Sequence, residues 1–175
     1  MAIRNVILSA PAMPDDPQFK KWFGNSKVKK MVYHASNKPE VRKIDNSIGE
    51  LGLHFGSKSQ AKSRMEFVGG EGGGKWEIHG YWLRVERPLR LEDFGSFHAD
   101  YVAEQLAEKG LMTEEEAKKI AADIKKNPAQ TKKHNPKIVA LIKKAGYDGI
   151  VYKNELEGYS DSWIIFDSDQ MKRAQ

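Results

Sequence analysis

The sequence predicts an α+β fold, in which short strands build a sheet core and helices gather on one side of it. Three observations lead there. Ile150–Tyr152 and Trp163–Phe166 are β-branched and aromatic runs of strand length, reading as buried strands on either side of a short acidic loop. Earlier runs of similar character, Met31–Ser36, Leu51–Phe55 and Trp76–Val85, end in small, polar or glycine residues. From about residue 97 to 145 the pattern changes to capped helical segments, which makes that block a helical insertion between strands. With 175 residues and no repeat or linker, one domain spanning 1–175 is expected.

Hydrophobic residues at 39% and aromatics at 10% suit a folded chain rather than a disordered one. The absence of cysteine rules out disulfides, thiolate catalysis and cysteine-ligated metals, and five histidines give no reason to expect a metal site. The apolar run Val6–Ala10 is too short for a secretory core, and no later run reaches membrane length, so a soluble cytoplasmic protein without membrane partners is expected. The net charge is +5, unevenly placed: between Lys118 and Lys144 nine lysines face a single acid, Asp123. Such a cluster suits a nucleic acid or an acidic protein surface, but without interleaved arginine and aromatics it also reads as solvated helix faces.

In chain order, Asp16, Pro17 and the run to Phe23 form a short helix, with an acidic cap, a proline at the first position and Gly24 as its stop. Phe19, Trp22 and Phe23 share a face that anchors this segment to the core. A strand over Met31–Ser36 follows, then polar sequence up to Gly49. The strand Leu51–Phe55 turns through Gly56 and Ser57 into a helix that Ser57 caps and Gln60, Ala61, Arg64 and Met65 continue. The glycine-rich run Val68–Lys75 lacks phosphate-loop spacing and reads as a connection. A long strand, Trp76–Val85, is interrupted at Pro88 and resumes. A helix over Ala99–Lys109 closes on Gly110, and Thr113 to Glu116 is a capping box opening a second helix, which stops before Asn127-Pro128. Asn135-Pro136 is expected to start a third, capped at Gly146.

The polar residues that could carry chemistry stand at strand ends. His34 closes one strand, Gly52 and Gly56 bracket Leu53, His54 and Phe55, and the final loop gathers Asn154, Glu155, Glu157, Ser160, Asp161 and Ser162. A loop rich in acceptors between two core strands can hold polar groups rigidly at the rim of an apolar cleft.

Taken together, Tyr33-His34-Ala35-Ser36, Gly52-Leu53-His54-Phe55-Gly56 and Asp161-Ser162-Trp163-Ile164-Ile165-Phe166-Asp167 resemble the ADP-ribosyltransferase fold, specifically the ADP-ribosyltransferase domains of phage and mobile-element polyvalent proteins. Phe19–Val28, Pro88–Phe97 and Gly146–Gly158 extend the likeness over most of the chain. The resemblance implies a split β-sheet core with flanking helices, in the cytosol of a bacterium or its host, and a glycosyltransferase acting on NAD without a metal. It also implies roles. Tyr33, His34, Ala35 and Ser36 would hold ribose and carboxamide, Gly52 would let backbone approach the ligand, and His54 with Phe55 would stack on nicotinamide. In the diphtheria-toxin and poly(ADP-ribose) polymerase branch the signature is His, Tyr and Glu on three strands. Here His54 stands at the tyrosine position and Ser162 at that of the catalytic glutamate.

A serine cannot supply negative charge to an oxocarbenium-like transition state. Either Glu155 or Glu157 reaches back to do so, with Ser162 beside it, or the domain is catalytically weakened and binds nucleotide, nucleic acid or a protein partner. The leading expectation is mono-ADP-ribosyl transfer from NAD to a macromolecular acceptor, protein rather than nucleic acid. The RNA 2′-phosphotransferase branch of the same fold also uses histidines at these positions, but its arginine pair is not evident here.

Overall fold

A computed structural model describes residues 12–38, 43–72, 75–155 and 158–174, and these form an α+β structure of two sheets flanked by helices. Helix α1 (Pro17–Phe23) opens with the Asp16 side chain accepting from the amides of Gln18 and Phe19, and ends at Gly24. Its Phe19 and Phe23 pack on Trp82, and the indole N–H of Trp22 donates to the Asp169 carbonyl at 2.9 Å, so the aromatic face does anchor the segment.

The smaller sheet contains β1 (Val32–Ser36), β3 (Glu77–Leu83) and β7 (Met171–Arg173) in the order β1-β3-β7, all antiparallel. The larger contains β2 (Leu53–Phe55), β4 (Pro88–Leu91), β5 (Gly149–Lys153) and β6 (Asp161–Ile165) in the order β2-β6-β5-β4. There β4 runs parallel to β5 and the other pairs are antiparallel. One bridge joins the sheets: the Tyr33 amide donates to the Gly56 carbonyl at 2.8 Å and the Gly56 amide to Tyr33 at 3.0 Å.

Strand alternation decides which core each residue enters. Val32, Tyr81 and Leu83 meet Phe55 and Ile165 between the sheets. On the opposite face of the larger sheet, Ile150, Tyr152 and Ile164 pack against Val102, Leu106, Ile138 and Ile142. Val102 and Leu106 belong to α3 (Ala99–Glu108) and Ile138 and Ile142 to α5 (Thr131–Lys144), while α4 (Glu114–Lys126) adds Ala117 and Ile124 to the same cluster. Because β5 and β6 are covered on both faces, their sequences are continuous apolar runs rather than alternating ones. Each fully buried Leu or Ile stabilises by roughly 1.5–3 kcal/mol.

Two expectations are corrected, and one strand is added. The glycine-rich run is not a connection up to residue 72, since helix α2 (Lys58–Gly72) extends through it. A helix is costly to start and cheap to extend, so a capped one runs into residues that would not nucleate it. Helix α5 begins at Thr131 rather than at Asn135, with Pro136 inside it. The proline removes one helical donor, but Asn135 just before it is buried, donating to the Gly49 carbonyl at 2.8 Å and accepting from the Ala99 amide at 3.1 Å. Those tertiary bonds hold the turn against the local preference. Strand β7 has no counterpart in the sequence reading, because two of its three residues are exposed and basic.

Candidate functional site

The cleft opens where the two sheets separate, beside the Tyr33–Gly56 bridge. Its volume is about 330 Å³, and β1, β2, the first turns of α2 and the loops after β4 and β5 line it. Gly52 sets the entry to β2. Its φ is +64°, and a Cβ there would lie 2.3 Å from the Ile165 carbonyl oxygen, so no other residue fits without moving backbone. Cross-strand register then puts His54 opposite Ile164, and Ser162 opposite Tyr152, on one face of the larger sheet.

The His34 ring packs against Phe55 with centroids 5.5 Å apart, and its Nδ1–H donates to the His54 carbonyl at 2.8 Å. That bond fixes the neutral tautomer and leaves Nε2 as an acceptor. Burial lowers the His34 pKa against the opposing effect of the hydrogen bond to the His54 carbonyl, and the charges of His79 and Arg64 lower it a little further. His54 is gripped at both ring nitrogens: Nε2–H donates to the Leu51 carbonyl at 3.1 Å, and Nδ1 accepts from the Tyr152 hydroxyl at 3.4 Å. Phe97 and Tyr152 meet it edge-on, so the imidazole plane is fixed by its edges.

Glu50 is the carboxylate of this cleft that lies beside His54. Its Oε1 accepts from the Phe97 amide at 2.9 Å, and its Oε2 lies 3.8 Å from His54 Nε2. Burial works to raise the Glu50 pKa, but His54, the Phe97 amide and Arg64 together hold it below its ordinary value. For His54, burial outweighs Glu50 and pushes the pKa down, so the pair is a carboxylate beside a neutral imidazole near neutral pH. Asp93 is the other carboxylate lining the cleft, and its oxygens accept from the amides of Gly95 and Glu155. Deeper in, buried Ser162 donates to Gln60 Oε1 and accepts from Asn154 Nδ2, each at 3.3 Å. Gln60 Oε1 also accepts from the Ser57 amide at 2.6 Å, and its amide nitrogen donates to the Ser160 carbonyl at 3.1 Å.

Of the residues expected at the site, Tyr33, His34, Ala35, Gly52, His54, Phe55 and Ser162 line this one cleft. Ser36 ends β1 outside the lining, its hydroxyl accepting from the Lys38 amide at 3.0 Å. Glu155 is exposed and outside the lining, with its backbone amide tied to Asp93 at 3.0 Å. Glu157 lies outside the described residues. Glu50 and Asp93 escaped the sequence reading, while Gln60 and Arg64 were visible only as helix sequence following Ser57. Among the described residues no group of three or more His, Asp or Glu is placed to hold a metal, and no helix is long and apolar enough to cross a membrane.

The histidine pKa values carry a pH prediction. Both fall below the ordinary 6.5 in the folded state, so just below that pH the unfolded chain binds more protons and unfolding becomes easier as pH drops. Stability from these groups is complete above 6.5 and is lost as pH falls through their folded values. Glu50, held below 4.5, adds a loss of the same sign further down. The melting temperature is therefore expected to drop between about pH 7 and pH 5, and His34→Ala should flatten that slope. Thermal melts across buffers check it, and an identical slope in the variant would refute it.

A family model described as ADP-ribosyltransferase in polyvalent proteins matches residues 28–175. Comparisons with curated proteins and with solved structures give no match. The matched span contains both sheets, all the cleft residues and the helical block between β4 and β5. By that match over most of its length, the chain belongs to the ADP-ribosyltransferases of polyvalent proteins.

Proposed function

We propose that the protein cleaves NAD at the nicotinamide–ribose bond and transfers one ADP-ribose unit to a macromolecular acceptor, a protein rather than a nucleic acid. The observation that carries this is a neutral histidine acceptor, a fixed imidazole plane and a half-buried carboxylate facing the same cleft. In the proposed reaction Nε2 of His34 accepts a ribose hydroxyl proton in a hydrogen bond, and the His54 face and Phe55 hold the nicotinamide ring. Tyr33 and Ala35 line the ribose and carboxamide end, where Gly52 admits backbone close to the ring. As the glycosidic bond breaks, its electron pair moves to the pyridinium nitrogen and positive charge passes to the sugar. The Glu50 carboxylate stabilises that charge, as electrostatic catalysis of glycosyl cleavage requires. The acceptor nucleophile then bonds to the anomeric carbon and its proton passes to water.

Ser162 makes chain elongation unexpected, since its hydroxyl is spent within the buried network with Gln60 and Asn154. The same spent hydroxyl favours a second reading, a module that binds nucleotide without turning it over. Incubation of the protein with NAD labelled in the adenylate moiety and with cell lysate, together with quantification of nicotinamide, separates the two. Released nicotinamide with label on protein is the expected result. Binding by calorimetry with no released nicotinamide, at enzyme in excess of NAD, would overturn transfer in favour of binding alone.

A further inference from the structure

Helix α2 presents Gln60, Ala61 and Arg64 to the cleft, positions three and four apart on one helix face. Gln60 is fully engaged with the floor, whereas Arg64, one turn further along, makes no hydrogen bond or ion pair with any described residue. Its charge nonetheless reaches the site, since it contributes to the lowered pKa values of His34, Glu50 and His54. Arginine stays charged at any accessible pH and offers a planar fork of donors matched to phosphate oxygens. A second cleft-lining donor, the indole N–H of Trp76, is buried and without an acceptor among the described residues. The cleft thus holds two carboxylates already anchored on backbone amides, Glu50 and Asp93, and two donors without an acceptor among the described residues. A dinucleotide whose cationic nicotinamide end is separated from its anionic diphosphate has the complementary distribution of charge.

We propose that Arg64 is the diphosphate-binding residue of this cleft, its guanidinium receiving the phosphates that link the two halves of a dinucleotide while the nicotinamide end lies against His54. The assignment of NAD as that dinucleotide rests on the function proposed above, but the diphosphate site can be tested without it. Arg64 is exposed and unpaired among the described residues, so Arg64→Ala leaves their folding contacts intact, and an essentially unchanged melting temperature would confirm that. Calorimetry then measures NAD, ADP, nicotinamide riboside and nicotinamide against wild type, Arg64→Ala and Arg64→Lys. Charge-assisted bonds of this kind correspond to affinity losses of roughly 10- to 100-fold.

That loss is expected for NAD and ADP in Arg64→Ala, with partial recovery in Arg64→Lys. Nicotinamide riboside and nicotinamide, which lack phosphate, should keep their affinity. Unchanged ADP affinity in Arg64→Ala, or an equal loss for the riboside, would overturn the assignment. Wild-type protein that binds ADP in an Arg64-dependent way but ignores NAD would keep the diphosphate site and remove NAD as the substrate. NAD binding that is indifferent to Arg64 would do the reverse.

Discussion

Glu50→Gln is expected to reduce nicotinamide release at saturating NAD by roughly 100- to 1000-fold, the usual cost of removing one preorganised electrostatic contact. The substitution keeps shape and leaves an oxygen to accept from the Phe97 amide, so folding should be little affected. What disappears is charge, in a partly desolvated position 3.8 Å from the His54 ring. Because NAD enters with a positive pyridinium, part of the Glu50 attraction is felt before the bond breaks and will show as a modest rise in KM. Only the excess felt by the developing sugar cation lowers kcat. Glu155, exposed and outside the cleft lining, provides the control, and Glu155→Gln should stay within about twofold of wild type. Single-turnover rates for Glu50→Gln, Glu155→Gln and Glu157→Gln decide among the carboxylates. A collapse confined to Glu157→Gln, with Glu50→Gln at wild-type rate, would move the catalytic charge to the β5–β6 loop.

That ambiguity follows from what a sequence can display. His34 and His54 are 20 residues apart, and the strands that carry them were visible because strands and glycines leave local marks, although each histidine sits at the middle of its strand and not at the end expected from the sequence. That they share a cleft depends on the Tyr33–Gly56 bridge, which no local pattern encodes. The fold class was legible for the same reason as the strands: β5 and β6 are buried on both faces, so their apolar runs are unbroken. The caps of α1 and α4 were legible because Asp16 and Thr113 bond to amides within three residues of themselves.

The missed features are those whose partners are distant in the chain. Glu50 has no motif, since it becomes a cleft residue only through the amide of Phe97, 47 residues away. Gln60 looks like one half of a reciprocal cap with Ser57, which it is, yet its side chain also reaches Ser160 and Ser162, a hundred residues on. Strand β7 exists because the edge of β3 offers Tyr81–Leu83 as a template, not because Met171–Arg173 has strand character of its own. Asn135 likewise overrides the helix-stopping preference of Pro136 through bonds to residues 99 and 49.

Gly52→Ala is expected to be the most damaging single substitution in the cleft wall, and comparison with Gly110→Ala isolates the reason. Both glycines have positive φ, +64° and +69°. An alanine in that region costs on the order of 1–2 kcal/mol wherever it occurs. At Gly110 nothing lies within 4 Å of the added carbon, so that cost is the whole effect. At Gly52 the same carbon would sit 2.3 Å from the Ile165 carbonyl oxygen and 2.6 Å from Ile164 Cγ2. The obstruction is strand backbone bonded in the centre of the sheet, so β2 must shift rather than a side chain rotate, and His54 shifts with it. A loss of about 3 kcal/mol or more is therefore expected for Gly52→Ala, beyond the usual range for point substitutions. Urea denaturation of the two variants measures the difference directly. Equal losses would mean that β2 yields freely at its entry, and the rigid placement of His54 over the cleft would no longer hold.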